Sequence, residues 1–266
     1  MYSMDTDPSA EARAGQILLT AISPFVVGIF TKPDVSHVGW TYGTGSPIEF
    51  DGRKFILTAA HVVPAQPCDI QFIPPPHDGF RISPSLSNEN FHRSQRYDLK
   101  SCIGDHSLDL AAILFNTPPE LTFFDLLHAA ATTPAVGSQV VICGYPIAKE
   151  RMVILDGDVR NCAGPDFQCA VVVPSTSVQE IKSHQFAIDY PAMPGIVRPP
   201  GYSGSMVWYD TAGYRTIQDF ENGLTIGAAG IITNHAISER ALLGTRIDSV
   251  IRFIKEQVLP SYPSCE

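Results

Sequence analysis

The apolar residues of this chain come in short runs, roughly four to eight long, most of them bounded by Gly, Pro, Asn or Asp. Twenty Gly and 22 Pro, scattered rather than clustered, keep any run from growing into a long helix. The runs are Phe25 to Phe30, Phe55 to Thr58, Leu110 to Phe115, Gln139 to Cys143, Met152 to Leu155, Ala170 to Val173, Met206 to Tyr209 and Ile226 to Thr233. Most are rich in β-branched or aromatic residues, which fit a pleated surface. This rhythm predicts all-β barrels or sandwiches. Two segments depart from it. Ser9 to Thr20 is Ala-rich with apolar residues at helical spacing. Asp248 to Val258 places Val250, Ile251, Phe253, Ile254 and Val258 largely on one face, with Asp248 as N-cap and Pro260 beyond the end. The Pro-bounded stretch Pro118 to Pro134 is the natural connection between two halves.

Bulk properties exclude several classes of function. A formal charge of −9, with no Lys/Arg cluster to offset it, argues against a nucleic-acid binder. No stretch reaches the ~18 apolar residues that a membrane-spanning helix needs. Met1 to Ala14 carries acids and lacks the basic-then-apolar layout of a secretion signal, so a cytoplasmic location is expected. The six cysteines, at 68, 102, 143, 162, 169 and 265, show no C-x-x-C spacing and read as reduced thiols. A bridge between Cys162 and Cys169 would require export. No H-E-x-x-H or clustered ligand set is present, and neither a metal nor another cofactor is expected.

Three residues in chain order carry the chemistry. His61 follows Phe55-Ile56-Leu57-Thr58-Ala59-Ala60, where a turn of small residues can aim its ring into a cleft. Asp109 is a charge in the otherwise apolar run Leu108 to Phe115; a carboxylate there needs a partner, and a histidine N–H is a natural one. Asp105 is its competitor but lies in the more polar Gly104-Asp105-His106. Ser203 stands in Gly201-Tyr202-Ser203-Gly204-Ser205, where glycines permit a tight turn. A serine hydroxyl is a poor nucleophile until an imidazole takes its proton and a carboxylate holds that imidazole.

With Gly43-Thr44-Gly45 ahead of His61, Asp109-Leu110-Ala111 between, and Gly230-Ile231-Ile232-Thr233 after Ser203, the chain resembles the trypsin-like (chymotrypsin-fold) serine peptidases. The likeness is greatest to standalone bacterial-type members, and it covers about Phe25 to Val258. It implies two six-stranded antiparallel β-barrels with a short N-terminal helix and a C-terminal helix. The corresponding segments are an extension over 1–23, a first barrel over 24–130 carrying His and Asp, a second over 131–247 carrying Ser, and a helix and tail over 248–266. It further implies a serine endopeptidase with His61 as general base, Asp109 as its orienter and Ser203 as nucleophile. Gly201 and Ser203 would supply the N–H groups of the oxyanion hole. Val197, Thr233, Asn234 and His235 would line the substrate cleft, the backbone from Thr233 pairing with an extended peptide, and the Thr233 hydroxyl would support Asp109. An ordinary strand threonine and a solvent histidine fit Thr233 and His235 nearly as well.

Two departures from the family pattern shape the expectation. Zymogen-derived members carry an acid just before the nucleophile, where this chain has Tyr202, so activity without N-terminal cleavage is expected. Members that cut after Lys or Arg hold an acid six residues before the serine; Val197 stands there, predicting an apolar or small residue before the cut. The expected partners are a protein or peptide substrate and a regulatory protein that restrains the enzyme. One rival is a catalytically silent, protease-like scaffold or binding protein. Another is an α/β-hydrolase using Ser203, Asp219 and His235, but the residues after Ser203 read as a strand rather than the helix that fold needs.

Overall fold

The computed structural model describes residues 17, 20–32, 41–63, 69–73, 92–93, 97–145, 152–155, 158–161, 166–175, 178, 181–189, 201–211, 225–236 and 240–262. The first half holds β1 (Val27–Lys32), β2 (Thr41–Phe50), β3 (Arg53–Ala59), β4 (Asp69–Ile73), β5 (His92–Arg93), β6 (Leu99–Asp105), β7 (Leu110–Phe115) and β8 (Phe124–Asp125). The second holds β9 (Gln139–Gly144), β10 (Met152–Leu155), β11 (Asp158–Asn161), β12 (Asp166–Val173), β13 (Gln185–Asp189), β14 (Met206–Asp210), β15 (Ile226–Ala236) and β16 (Ala241–Arg246). Helix α1 (Ile247–Phe253) follows.

The second half closes into a six-stranded barrel in the order β12-β13-β16-β15-β14-β9. The first forms a path β4-β1-β2-β3-β7-β6, with β8 added in parallel to β2; its end strands are not paired with each other among the described residues. A small sheet, β10-β11-β5, joins a hairpin of the second half to a strand of the first. The fold is thus mostly β with the chymotrypsin-like division into halves.

The unbroken apolar runs of the sequence have a physical reason: both faces of those strands are covered. On β3, Phe55 and Leu57 join a core lying between the halves, while Ile56 joins the interior of the first half. On β7, Leu110, Ala112 and Leu114 face the seam, and Ala111, Ile113 and Phe115 face inward. On β9, Val141 and Cys143 face the seam and Val140 and Ile142 the second barrel. Each fully buried Leu, Ile, Val or Phe among them contributes about 1.5–3 kcal/mol. Phe25, Phe124 and Trp208 pack mainly edge-to-face within the seam, with ring centroids 4.9–6.0 Å apart.

The termini also pack into the seam. Residues 20–22 are helical and lead into a 3₁₀ turn, Ser23–Phe25, with Ile22 and Val26 buried; most of the Ser9 to Thr20 segment lies outside the described residues. Helix α1 buries Val250 and Phe253. Asp248 is not its cap. The N-cap position is Arg246, which makes no side-chain cap bond, and Asp248 sits in the first turn with Oδ1 accepting from Ser249 N–H at 2.8 Å. Beyond Phe253 the helix widens into a π-type turn, Ile254–Val258, and ends in a 3₁₀ turn, Leu259–Ser261, that accommodates Pro260. Cys143 is buried and Cys102 exposed, whereas Cys68, Cys162 and Cys265 lie outside the described residues. Among the described residues, no helix is long and apolar enough to cross a membrane.

Candidate active site

Strand β3 ends at Ala59, and the chain turns at once into a single 3₁₀ turn, Ala60–Val62. The turn buries Ala60 and Val62 and lifts His61 between them toward solvent. Directly before β7, Asp109 stands at φ 53, a left-handed conformation that Asp tolerates better than most residues. Its carboxylate meets His61 twice: Oδ2 lies 2.8 Å from Nδ1, and Oδ1 accepts from the His61 backbone N–H at 3.0 Å. Backbone joins them as well, since Ala60 N–H donates to the Asp109 carbonyl at 3.1 Å. An ionised carboxylate only accepts, so the imidazole proton belongs on Nδ1 and the Nε2 lone pair remains available. The pair is not sealed from water. The His61 side chain is 49% exposed and that of Asp109 30%.

Asp105 is occupied elsewhere. Its Oδ1 accepts from Ser107 N–H, Ser107 Oγ–H and Leu108 N–H, at 2.9, 2.6 and 3.1 Å, and Oδ2 from Gln257 Nε2 at 2.7 Å. Burial opposes its ionisation, but the hydrogen bonds from Ser107, Gln257 and Leu108 outweigh that and hold its carboxyl below the usual range. Asp105 therefore builds the turn that presents Asp109. A second support was not legible in the sequence: Thr245, buried on β16, donates its hydroxyl to the Leu108 carbonyl at 2.9 Å. Thr233 does not reach Asp109. Its buried hydroxyl lies 3.5 Å from the Leu243 carbonyl and 3.4 Å from Thr245 Oγ1, one step behind.

The loop at residues 201–205 places Gly201 at φ 104 and Gly204 at φ 89. Thr44, buried on β2, grips it twice: its N–H donates to the Ser203 carbonyl at 2.8 Å and its hydroxyl to the Gly201 carbonyl at 2.6 Å. Gly204 N–H donates to the Ile232 carbonyl at 2.7 Å and Ser205 N–H to the Tyr202 carbonyl at 2.9 Å. The Gly201 and Ser203 N–H groups have no acceptor among the described residues.

The same loop lies against the two flanks of His61. A side chain at Gly204 would start 3.1 Å from Ala59 N, and one at Gly43 would start 3.1 Å from the Ser203 carbonyl while touching Val62. The structure thus pairs His61 with Asp109 and sets the loop of Ser203 beside the residues that flank His61. Among the described residues no hydrogen bond joins Ser203 Oγ to the His61 ring.

The neighbouring positions differ in character. Tyr202 is buried in the second-barrel core beside Val140, Ile142 and Val207, and Ser205 is also buried. Thr233 is buried, Asn234 exposed and His235 half-buried, with Asn234 Oδ1 accepting from His235 N–H at 2.8 Å. The β15–β16 pairing shifts register between Ile232 and Asn234. Val197 and Asp219 lie outside the described residues.

The sequence pattern of the trypsin-like peptidase domain matches residues 43–213, more than half of the chain. The chain belongs to the trypsin-like peptidases. No curated protein matches this peptidase in sequence. Its fold is similar to that of the Rv3671c protease from M. tuberculosis in its active form, with a TM-score of 0.54 at 16% identity, covering 96% of this chain and 92% of that one. It is also similar to human heparin binding protein, with a TM-score of 0.56 at 14% identity over 93% and 96% of the two chains. A kallikrein-related peptidase 10 in complex with Zn2+ gives 0.53 at 12% identity over 90% and 96%. At these identities the structural likeness is one of fold.

Proposed function

We propose that this trypsin-like peptidase is a serine endopeptidase in which His61, Asp109 and Ser203 act as a triad. The observation that carries the reading is the double grip of Asp109 on His61, at Nδ1 and at the backbone N–H. A histidine held this way carries its proton on Nδ1, which leaves Nε2 as the base for Ser203. His61 takes the hydroxyl proton as Ser203 Oγ attacks the peptide carbonyl, and Asp109 stabilises the resulting imidazolium. The N–H groups of Gly201 and Ser203 receive the developing oxyanion. His61 then returns its proton to the leaving amine, and water repeats the sequence on the acyl-enzyme. Tyr202, buried where zymogen-derived members hold an acid, supports activity without N-terminal cleavage. Val197 supports an apolar or small residue before the cut, met by backbone pairing along Thr233, Asn234 and His235.

One experiment tests these points together. The intact chain from Met1 and its Ser203→Ala variant are exposed to a fluorophosphonate probe and to an unfolded proteome, and the cut sites are mapped. Wild type is expected to label and cut after apolar or small residues, with turnover falling by about 10⁴-fold or more in Ser203→Ala. An unlabelled, inert wild type favours the silent scaffold; strong Lys/Arg preference rejects the specificity; activity only after trimming rejects the zymogen-free reading.

A further inference from the structure

Thr44 is joined to three separate parts of the site. Its carbonyl accepts from the Thr58 hydroxyl at 2.8 Å, on the strand that ends just before His61. Its N–H and its hydroxyl hold the carbonyls of Ser203 and Gly201. These are the two residues whose own N–H groups lack an acceptor. The direction of the hydroxyl proton follows from its other contact. Tyr145 N–H donates to Thr44 Oγ1 at 3.0 Å, and a peptide N–H can only donate, so the hydroxyl proton is left for the Gly201 carbonyl.

Each peptide group moves as a plane, so a held carbonyl fixes the plane to which it belongs. The Gly201–Tyr202 plane is held by the Thr44 hydroxyl. The Ser203–Gly204 plane is held at both ends, its carbonyl by Thr44 N–H and its N–H by the Ile232 carbonyl. Between these two planes lies the Tyr202–Ser203 peptide, whose carbonyl accepts from Ser205 N–H at 2.9 Å and whose N–H is one proposed oxyanion donor. The other, Gly201 N–H, is one Cα away from the hydroxyl-held plane.

We propose that the Thr44 hydroxyl is a positioning group for the oxyanion hole, holding the 201–203 backbone so that both N–H groups face the scissile carbonyl. The role rests on the serine peptidase reading. Thr44 touches no substrate and acts through the loop. Removing the hydroxyl leaves the buried Gly201 carbonyl without its donor, and that peptide is then free to rotate toward another one.

The test compares wild type, Thr44→Val and Thr44→Ser, each normalised to folded protein. The readouts are the fluorophosphonate labelling rate, kcat and KM on an apolar peptide substrate, and affinity for a matching peptidyl boronate, which forms a tetrahedral adduct. Thr44→Val is expected to lower the labelling rate and kcat roughly ten- to a hundredfold and to weaken boronate binding, with KM little changed. Thr44→Ser, which keeps the hydroxyl, is expected near wild type. A Thr44→Val protein with wild-type labelling and boronate affinity overturns the proposal, as does a Thr44→Ser protein that loses as much as Thr44→Val. If Thr44→Val does not fold, Thr44→Ala, which leaves room for a water, takes its place with the same expected and overturning results. Failure of wild type itself to label overturns the serine peptidase reading, and the positioning role with it.

Discussion

Gly204 is the residue with the least freedom to change. At φ 89 an L side chain is disfavoured, and a Cβ there would overlap the Thr44 carbonyl and the Thr58 hydroxyl. Backbone and a hydrogen-bonded hydroxyl cannot yield as a flexible side chain would. Gly204→Ala is therefore expected to cost on the order of 4 kcal/mol or to displace the loop. A thermal melt together with probe labelling checks this; unchanged values for both would contradict it. At this scale the sequence was partly legible. Gly201, Ser203 and Gly204 are adjacent and announce a tight turn, while His61 and Asp109 stand out against apolar neighbours. Thr44 and Thr245 carry no such local mark. Their partners lie 157 and 137 residues away, so only the folded chain distinguishes them from ordinary strand threonines.

Between β6 and β7, one carboxylate organises a whole turn. Because hydrogen bonds hold the Asp105 carboxyl below its ordinary 3.8, the folded state favours its ionised form more than the unfolded chain does. That stabilisation is present above pH ~3.8 and is lost as pH falls through the lower folded value. Asp105→Asn is expected to melt below wild type at pH 7, with the gap closing under pH 4; melting curves over pH 2–7 that run parallel would contradict this. Elements were readable according to how they are covered. A run buried on both faces, such as β7, matched to the residue. By contrast β6 is largely exposed and includes Lys100 and Ser101, so it never formed an apolar run. Likewise β2 is not among the apolar runs because Gly43, Gly45 and Pro47 interrupt it, yet it pairs with β1 over its first half and β3 over its second.

Across the whole molecule, the residues after the C-terminal helix return to the first half. Tyr262 donates its hydroxyl to the Lys54 carbonyl at 2.8 Å, and its ring lies 5.3 Å from the Arg53 guanidinium and 5.4 Å from Lys100 Nζ. Lys100 also donates to the Ser261 carbonyl at 3.1 Å. Burial pushes the Tyr262 phenol up to about 12, against a smaller opposing effect of Arg53. A raised folded value means that this contact stabilises fully below pH 10 and is lost as pH rises toward 12. Tyr262→Phe is expected to lower the melting temperature at pH 7 and to lose less than wild type between pH 10 and 12. An identical alkaline decline in both proteins would contradict this. The order of the halves was an expectation carried by the family resemblance. The crossing of residues 257–262 was not legible, because a tyrosine beside prolines says nothing about which distant strand receives it.

The supports of the Asp109 turn have a consequence in time. Thr245 meets Leu108 across 137 residues, and Gln257 meets Asp105 across 152. At synthesis rates of about 5–20 residues per second, both arrive roughly seven to thirty seconds after the turn they steady. The ribosome-bound first half thus holds His61 and Asp109 without Ser203 and without these two tethers. On the serine peptidase reading, nascent chains are expected to leave their neighbours uncut until the final strand and helix have left the exit tunnel; fluorophosphonate labelling of shorter stalled chains would contradict this.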